Sequence, residues 1–360
     1  MASIFDDILS EQESLFLNEA ALSYEYIPKL LPYREVQQKH IATCISPLFS
    51  ERMGRNLLVF GPPGVGKTVA TKHVLQEIEE RTDKIVPLYV NCWKKNTSYK
   101  VILELCNLIE YKFTHNKKTD ELFDIVAQLL NKFSVVFVFD EIDKAEDLDF
   151  LYLILEKIKL KSIILLTNYK DAIMDIDTRI RSRLTPELLE FKPYSLDETT
   201  GILKQRIELA FVPKVWESKA FSLIAQKTFE LQDIRSGLYL LKESGLLAEE
   251  KSSRRIQEVQ AQEALTKLED FKIKSTTDLA QETQNILKLI KLHSPCKIGD
   301  LYKEFDKTHR GDMSYKTFTR KIAKLEEGKF ISVEKTSGGS QGNTSIITYN
   351  ANTKTLSDFS

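Results

Sequence analysis

Eight consecutive residues carry the chemistry around which the rest of the chain must be arranged: Gly61-Pro62-Pro63-Gly64-Val65-Gly66-Lys67-Thr68. They satisfy in full the glycine, four residues, glycine-lysine-threonine spacing of a phosphate-binding loop. Backbone that wraps phosphate oxygens closely needs torsions a Cβ forbids, which Gly61, Gly64 and Gly66 supply. With Val65 they form a cradle that runs into the N-terminus of a helix, where unpaired N–H groups and the helix dipole favour an anion. Lys67 is placed to reach β- and γ-phosphates, and the Thr68 hydroxyl to ligate Mg²⁺. Further on, VVFVFDEID puts Asp140 and Glu141 at the end of an apolar run, the end at which open α/β sheets bind ligands. There Asp140 would hold Mg²⁺ through its water shell and Glu141 would polarise an attacking water. The pair of signals implies ATP (or its product ADP) with Mg²⁺. A glycine-rich turn that binds nothing is the competing reading, which the strand before the loop and the helix after it oppose.

The elements needed to hold these groups are legible around them. Asn56–Phe60 (NLLVF) reads as a buried strand ending at Gly61, and Lys67–Glu80 as the helix that follows. Ile85–Asn91, Ser134–Phe139 and Ser162–Thr167 are further strand-like runs, separated by helical spacing over Tyr99–Tyr111 and Asp120–Lys132, and Tyr33–Leu48 is helical ahead of them. Apolar strands alternating with helices imply a parallel sheet covered on both faces. After Pro193 the strands stop, and 195–210, 216–228 and 232–248 read as helices. Glu249–Thr277 is charged and strand-free, a linker or long surface helix, and 280–350 holds three helical patterns and a closing hairpin. The expected organisation is a nucleotide-binding α/β domain over 1–192, a helical lid over 193–250, a linker over 251–279 and a last domain over 280–350.

Composition sets outer bounds. At 360 residues, 42% apolar and 29% charged, the chain is ordinary globular material for two or three domains. Its longest apolar runs, such as Val135–Phe139, are too short to cross a bilayer, and the acidic N-terminus MASIFDDILSEQESLF is not a secretory signal. A soluble, cytoplasmic, nucleoid-associated protein with no membrane partner is expected. Cys44, Cys92, Cys106 and Cys296 lie far apart with no metal-ligand spacing, and the five histidines are equally scattered; each reads as core filler or surface residue. Net charge is −1, so any nucleic-acid face must be local.

The adjacent Asp-Glu, a third strand ending in Asn168 (SIILLTN) and an arginine-rich turn beyond it resemble AAA+ ATPases. Within that class the chain resembles the archaeal origin-recognition type of replication initiator, relatives of the eukaryotic origin-recognition and cell-division-cycle loading ATPases. LFLNEAALSYEYIPKLLPYRE resembles that family's leading segment, DTRIRSRLTPELLEFKPYSLDETTGILKQR its sensor-to-lid passage, and MSYKTFTRKIAKLEEGKFISVEK its winged-helix end. The resemblance implies an α/β AAA+ P-loop ATPase domain with a helical lid, followed by an α+β winged-helix domain. It implies Asn168 as sensor 1, and Arg183 as an arginine finger acting on a neighbouring subunit, with Arg179 the second candidate. A surface basic cluster of Arg179, Arg181 and Arg183 is the alternative. Tyr194 and Arg206 match lid contacts to nucleotide, and Arg235 matches sensor 2, although Gln232 stands where the family usually has glycine. Lys67 and Arg235 on opposite sides of a triphosphate would make lid closure depend on the γ-phosphate, giving a slow ATPase that works as a switch.

The last domain reads as a DNA reader. Residues 280–350 carry twelve Lys/Arg against eight Asp/Glu. Ser314–Glu327 is the expected recognition helix, with Ser314 as N-cap, Gly328 beyond its end and a buried stripe of Phe318, Ile322 and Leu325. Lys316, Thr317, Arg320, Lys321 and Lys324 spread over the rest. Phe330–Lys335 and Ser345–Tyr349 alternate as strands around a glycine-rich wing tip, and helix-then-hairpin is a winged-helix arrangement. The family's wing often carries an arginine; Ser340–Ser345 has none, which limits wing contact to backbone amides and Asn343. Trp93–Lys100, where aromatic and basic residues interleave, is a second candidate DNA patch or else a solvated loop. The resemblance implies double-stranded origin DNA, a replicative helicase of the minichromosome-maintenance type and related initiator subunits as partners. Two other classes stay open: a AAA+ loader or remodeller using the winged helix as a protein adaptor, and an initiator-like regulator that binds a locus without loading a helicase.

Overall fold

The computed structural model describes residues 14–173, 176–277, 281–309, 315–327, 330–336 and 344–349. They fall into two compact units, dividing between Ala264 and Leu265. Among the described residues no helix is long and apolar enough to cross a membrane.

The first unit is built on five parallel strands: β1 (Leu57–Phe60), β2 (Ile85–Asn91), β3 (Ser134–Asp140), β4 (Lys161–Thr167) and β5 (Glu187–Glu190), in the order β2-β3-β4-β1-β5. β3 and β4 are buried at every residue, which is why their sequences run apolar without alternation. Successive β3 side chains still go to opposite faces. Val136 and Val138 pack with α1 (Glu35–Ile45) and α2 (Lys67–Arg81); Val135, Phe137 and Phe139 pack with α3 (Ser98–Leu108), α4 (Thr119–Leu130), α5 (Asp149–Lys157) and α6 (Thr178–Leu184). The register aligns the carboxyl ends: Phe60 lies opposite Thr167 and Glu190, and Asn91 opposite Asp140. β1 sits between β4 and β5, and the chain leaves it to cross to the far edge at β2. That reversal is where doubly wound sheets open a ligand crevice.

α7 (Leu196–Ala210), α8 (Ser218–Leu231) and α9 (Ile234–Glu250) follow. They meet around Gly237, where an added Cβ would lie 2.6 Å from Thr228 Oγ1 and 2.9 Å from Leu203 Cδ2. The stretch expected as a linker or surface helix instead contains α10 (Glu258–Thr277), with Ala261, Ala264, Leu265 and Leu268 buried at helical spacing. Three short elements are not evident in the sequence. α5 and α6 are a single buried face and an arginine-rich turn wound into two turns of helix. β5 is a four-residue edge strand (ELLE) whose alternation is too brief to register. The first helix starts at Glu35 and not at Tyr33, because Tyr33 has φ +65° and follows Pro32.

The second unit contains α11 (Gln281–His293), β6 (Cys296–Lys297), α12 (Ile298–His309), α13 (Tyr315–Glu327), β7 (Ile331–Thr336) and β8 (Thr344–Tyr349). Its antiparallel sheet has the order β6-β8-β7. Phe318, Ile322 and Leu325 form the buried stripe of α13, packed with Ile286, Ile290, Leu301, Phe305 and Ile347. Three helices and a β-wing hairpin make this a winged-helix fold. Ser314, Gly328 and Asn343 lie outside the described residues, as do the side chains of Lys316 and Lys324 on α13.

Candidate nucleotide site

The turn from β1 into α2 has the backbone that its glycines permit. Gly61, Gly64 and Gly66 have φ of +151°, +79° and +90°. A Cβ on Gly64 would lie 2.1 Å from Asp233 Oδ1, so only glycine lets the loop approach the start of α9. Beside the loop is a cavity of about 320 Å³ lined by Gly64, Gly66, Lys67, Thr68, Asp140, Glu141, Asn168, Tyr194, Arg206 and Arg235, among others.

Lys67 is almost fully buried, and its Nζ donates to Gly61 O at 2.6 Å, Pro62 O at 2.9 Å and Asn168 Oδ1 at 3.0 Å. Burial pulls its ammonium down to about 8, with Asp140 working in the opposite direction and Arg235 adding to the depression. Asp140, on buried β3, gathers donors: Thr68 Oγ1 and Tyr89 Oη each reach Oδ2 at 2.7 Å, and the Glu141 N–H reaches Oδ1 at 2.9 Å. Burial pushes the Tyr89 phenol up, reinforced by Asp140, so it stays a donor. Glu141 sits at φ +55°, turning its carboxyl out of the strand into the cavity wall, and is raised by burial and by the neighbouring Asp140 and Asp143.

This set suits a nucleotide and its metal. A desolvated ammonium beside a loop that admits no Cβ fits an anion, and a hydroxyl and a carboxylate converging at 2.7 Å offer the hard oxygen donors that Mg²⁺ takes.

Arg235 spans Asp233 with a two-pronged contact, Nε to Oδ1 at 3.0 Å and Nη2 to Oδ2 at 3.1 Å, while Asp233 also caps α9. Gln232, where glycine was expected, takes the left-handed conformation at φ +52° and ψ +28° and donates from its own amide to Phe229 O at 2.7 Å. The turn is therefore retained with a side chain on it. Arg206 lines the cavity, but its guanidinium is directed to the leading segment, donating to Ala21 O at 2.9 Å and Tyr26 O at 3.4 Å. Tyr194 is buried, its ring facing the Arg34 guanidinium at 3.8 Å.

Arg34 is a site residue that sequence reasoning passed over. It is buried, donates from Nε to Val65 O at 3.1 Å and from Nη2 to Lys192 O at 2.7 Å, and so ties the phosphate-binding loop to the start of the lid. Its partners lie 31 and 158 residues away, so no local pattern marks it. Tyr89 is the other, hidden in an alternating strand. Arg183 and Arg179 lie away from this cavity on α6: Arg183 is exposed over the Tyr152 ring at 4.9 Å, and Arg179 is exposed and forked onto Asp177 at 3.2 Å. In the loop after β2 Trp93 is exposed and Lys95 pairs with Glu104 at 2.9 Å, while Lys100, in the first turn of α3, donates to Asn96 at 2.7 Å. On α13 Arg320 is exposed, and Thr317 and Lys321 are half-buried.

Sheet order, phosphate loop, paired acids and helical lid together define the AAA+ class of ATPases. The family model for an AAA domain matches residues 51–173, and that for the Cdc6 AAA+ ATPase-type lid domain matches 200–266. The chain is 30% identical to the ORC1-type DNA replication protein 1 of Archaeoglobus fulgidus, covering 85% of this chain and 79% of that one. With the ORC1-type DNA replication protein 2 of Methanosarcina acetivorans it shares 27% identity over 95% of each chain. The solved structure of the Aeropyrum pernix ORC1 protein in complex with DNA superposes with a TM-score of 0.74 at 23% identity, covering 95% of this chain and 96% of that one. The chain belongs to the ORC1-type DNA replication protein family, and as such is a nucleotide-binding AAA+ ATPase and a replication initiator.

Two outcomes follow from this geometry. Arg34→Ala removes a buried charge-assisted donor and leaves the Val65 and Lys192 carbonyls unsatisfied. It should lower stability by about 2–4 kcal/mol in chemical denaturation and weaken nucleotide binding in the same preparation. Burial pulls the Lys67 ammonium down to about 8, and a bound polyphosphate would favour its charged form. Nucleotide binding should then take up a proton around pH 8.5 and weaken as pH rises further, read by calorimetry in two buffers of different ionisation enthalpy.

Proposed function

We propose that the cavity holds ATP with Mg²⁺ and that the chain uses the γ-phosphate as a switch controlling its engagement of origin DNA. The convergence of Lys67, Thr68, Asp140 and Asn168 at the carboxyl ends of β1, β3 and β4 carries this reading. Lys67 and the loop N–H groups of Gly64, Val65 and Gly66 would bind the phosphates. Thr68 would release Asp140 and turn its hydroxyl to the metal, Asp140 holding the metal's waters. Mg²⁺, when bound, would neutralise charge on the transferring phosphoryl group. Glu141 accepts the proton of the attacking water at a carboxylate oxygen, and the upward push on its pKa makes it a stronger base. Asn168 orients that water. Arg235 would leave Asp233 for the γ-phosphate, linking α9 and the rest of the lid to nucleotide state, with Tyr194 and Arg206 shaping the base end. Arg183, or else Arg179, would complete the site of a neighbouring initiator subunit.

The winged-helix unit is proposed to read double-stranded DNA through α13, with Thr317, Arg320 and Lys321 joined by Lys316, Lys324 and Asn343. Its excess of positive charge supports this, as does the DNA complex of the Aeropyrum pernix relative. The loop from Trp93 to Lys100 would be a subsidiary contact. Recruitment of a minichromosome-maintenance type helicase at the bound origin completes the reading, with the protein acting in the cytoplasm at the nucleoid. The domains are proposed as 1–192, 193–250 and 280–350, joined by 251–279.

Lys67→Ala should abolish ATP binding, whereas Glu141→Gln should bind ATP at near wild-type affinity and hydrolyse it at least 100-fold more slowly. Normal turnover by both variants would remove the site assignment. Arg320→Ala should weaken DNA binding and lower the slope of log K against log salt by about 1. Absence of saturable DNA binding by the wild type at near-physiological salt, with and without ATP, would instead favour a protein-adaptor role. DNA binding without helicase capture in a pull-down would favour a locus regulator.

A further inference from the structure

A second cluster of chemically capable side chains lies apart from the nucleotide cavity, between α1 and the edge strand β5. His40 and Cys44 are four residues apart on α1 and so share one face of the helix. Glu187, the first residue of β5, faces them: its Oε2 is 2.9 Å from His40 Nε2 and 3.7 Å from Cys44 Sγ. The three donor atoms all lie within 4.8 Å of one another. Arg55 holds the other carboxylate oxygen, Nη1 to Oε1 at 2.7 Å, and is itself fixed by Nη2 donating to Thr43 O at 3.2 Å. Cys44 is fully buried, while the His40 and Glu187 side chains are each about one-third exposed, leaving a side open to solvent.

We propose that His40, Cys44 and Glu187 bind a zinc ion, with water as fourth ligand, stapling α1 to the edge of the sheet. The donor set of one imidazole nitrogen, one thiolate and one carboxylate oxygen is that of a borderline-soft divalent ion. Tetrahedral zinc, with bonds of about 2.0 Å to N and O and about 2.3 Å to S, separates its donors by roughly 3.3–3.6 Å. The two separations from Glu187, 2.9 and 3.7 Å, fall on either side of that range and the third is within 4.8 Å, so closure needs side-chain movements of about 1 Å or less. Binding transfers the Cys44 S–H proton to solvent as the Zn–S bond forms, and His40 Nε2 presents its lone pair to the ion. Burial, with Glu187 adding to it, pushes the free thiol up to about 11, so the metal and not ambient pH would deprotonate it. Arg55 would fix the ligating carboxylate, as partners of metal ligands generally do.

The position gives the staple a consequence. α1 begins immediately after Arg34, which grips the phosphate-binding loop, and β5 runs on through Phe191 to Lys192 and Tyr194 on the other side of that grip. A metal at His40, Cys44 and Glu187 would brace the two segments that Arg34 joins.

The full-length chain, stripped with chelator and titrated with Co²⁺ and Zn²⁺, tests this. One equivalent of Co²⁺ should give a thiolate-to-metal charge-transfer band with intense tetrahedral d–d absorption, and Zn²⁺ should displace it. The band should vanish in Cys44→Ser, weaken at least tenfold in affinity in Glu187→Gln and persist in Cys296→Ser. Zn²⁺ should raise the melting temperature of the wild type and leave that of Cys44→Ser unchanged. No charge-transfer band in folded wild type, or one that survives Cys44→Ser, would overturn the site and leave the cluster as a hydrogen-bonded ion pair.

Discussion

A buried lysine ammonium stands at the centre of the first unit's site. Among the described residues the direct partners of Lys67 are the Gly61 and Pro62 carbonyls and the Asn168 amide oxygen, with the Asp140 carboxylate close enough to counter part of the desolvation. A buried cation so arranged is costly for the free protein, because carbonyl dipoles replace its hydration only in part. An anion delivered by a ligand relieves that cost. The glycine torsions, the buried strands and the position of β1 at the reversal of the sheet all serve to keep that charge accessible to the cavity and little else.

Around the same point two arginines are held in different ways. Arg34 joins two backbone segments: it donates to the Val65 and Lys192 carbonyls and stacks on Tyr194. Arg235 is held by a carboxylate instead, in a half-exposed two-pronged ion pair with Asp233. Arg206, in contrast, is committed to the Ala21 and Tyr26 carbonyls, holding the leading segment against the lid where that segment lines the cavity.

The winged-helix unit follows a simpler logic. The apolar stripe of α13 is consumed by its own core, which leaves residues such as Arg320 facing outward. Residues 280–350 carry an excess of positive charge, set against a slightly acidic whole.

The amino-acid sequence determined the phosphate loop, the acidic pair, the alternation of strands and helices and the wing, because each rests on local spacing: torsional freedom at glycines, periodicity along buried faces, caps at helix ends. Asn168 was singled out only by the resemblance to AAA+ ATPases; its contact with Lys67 depends on the sheet order that sets β4 beside β1. Only the tertiary structure decided that Arg34 binds the loop, that Tyr89 supports Asp140, that Arg206 spends its hydrogen bonds on the leading segment, and that His40, Cys44 and Glu187 meet. Glu187 lies 147 residues from His40, on a strand too short to leave a periodic trace. Contacts of that kind are made by the order in which strands join the sheet, a property of the packed chain as a whole and of no stretch within it.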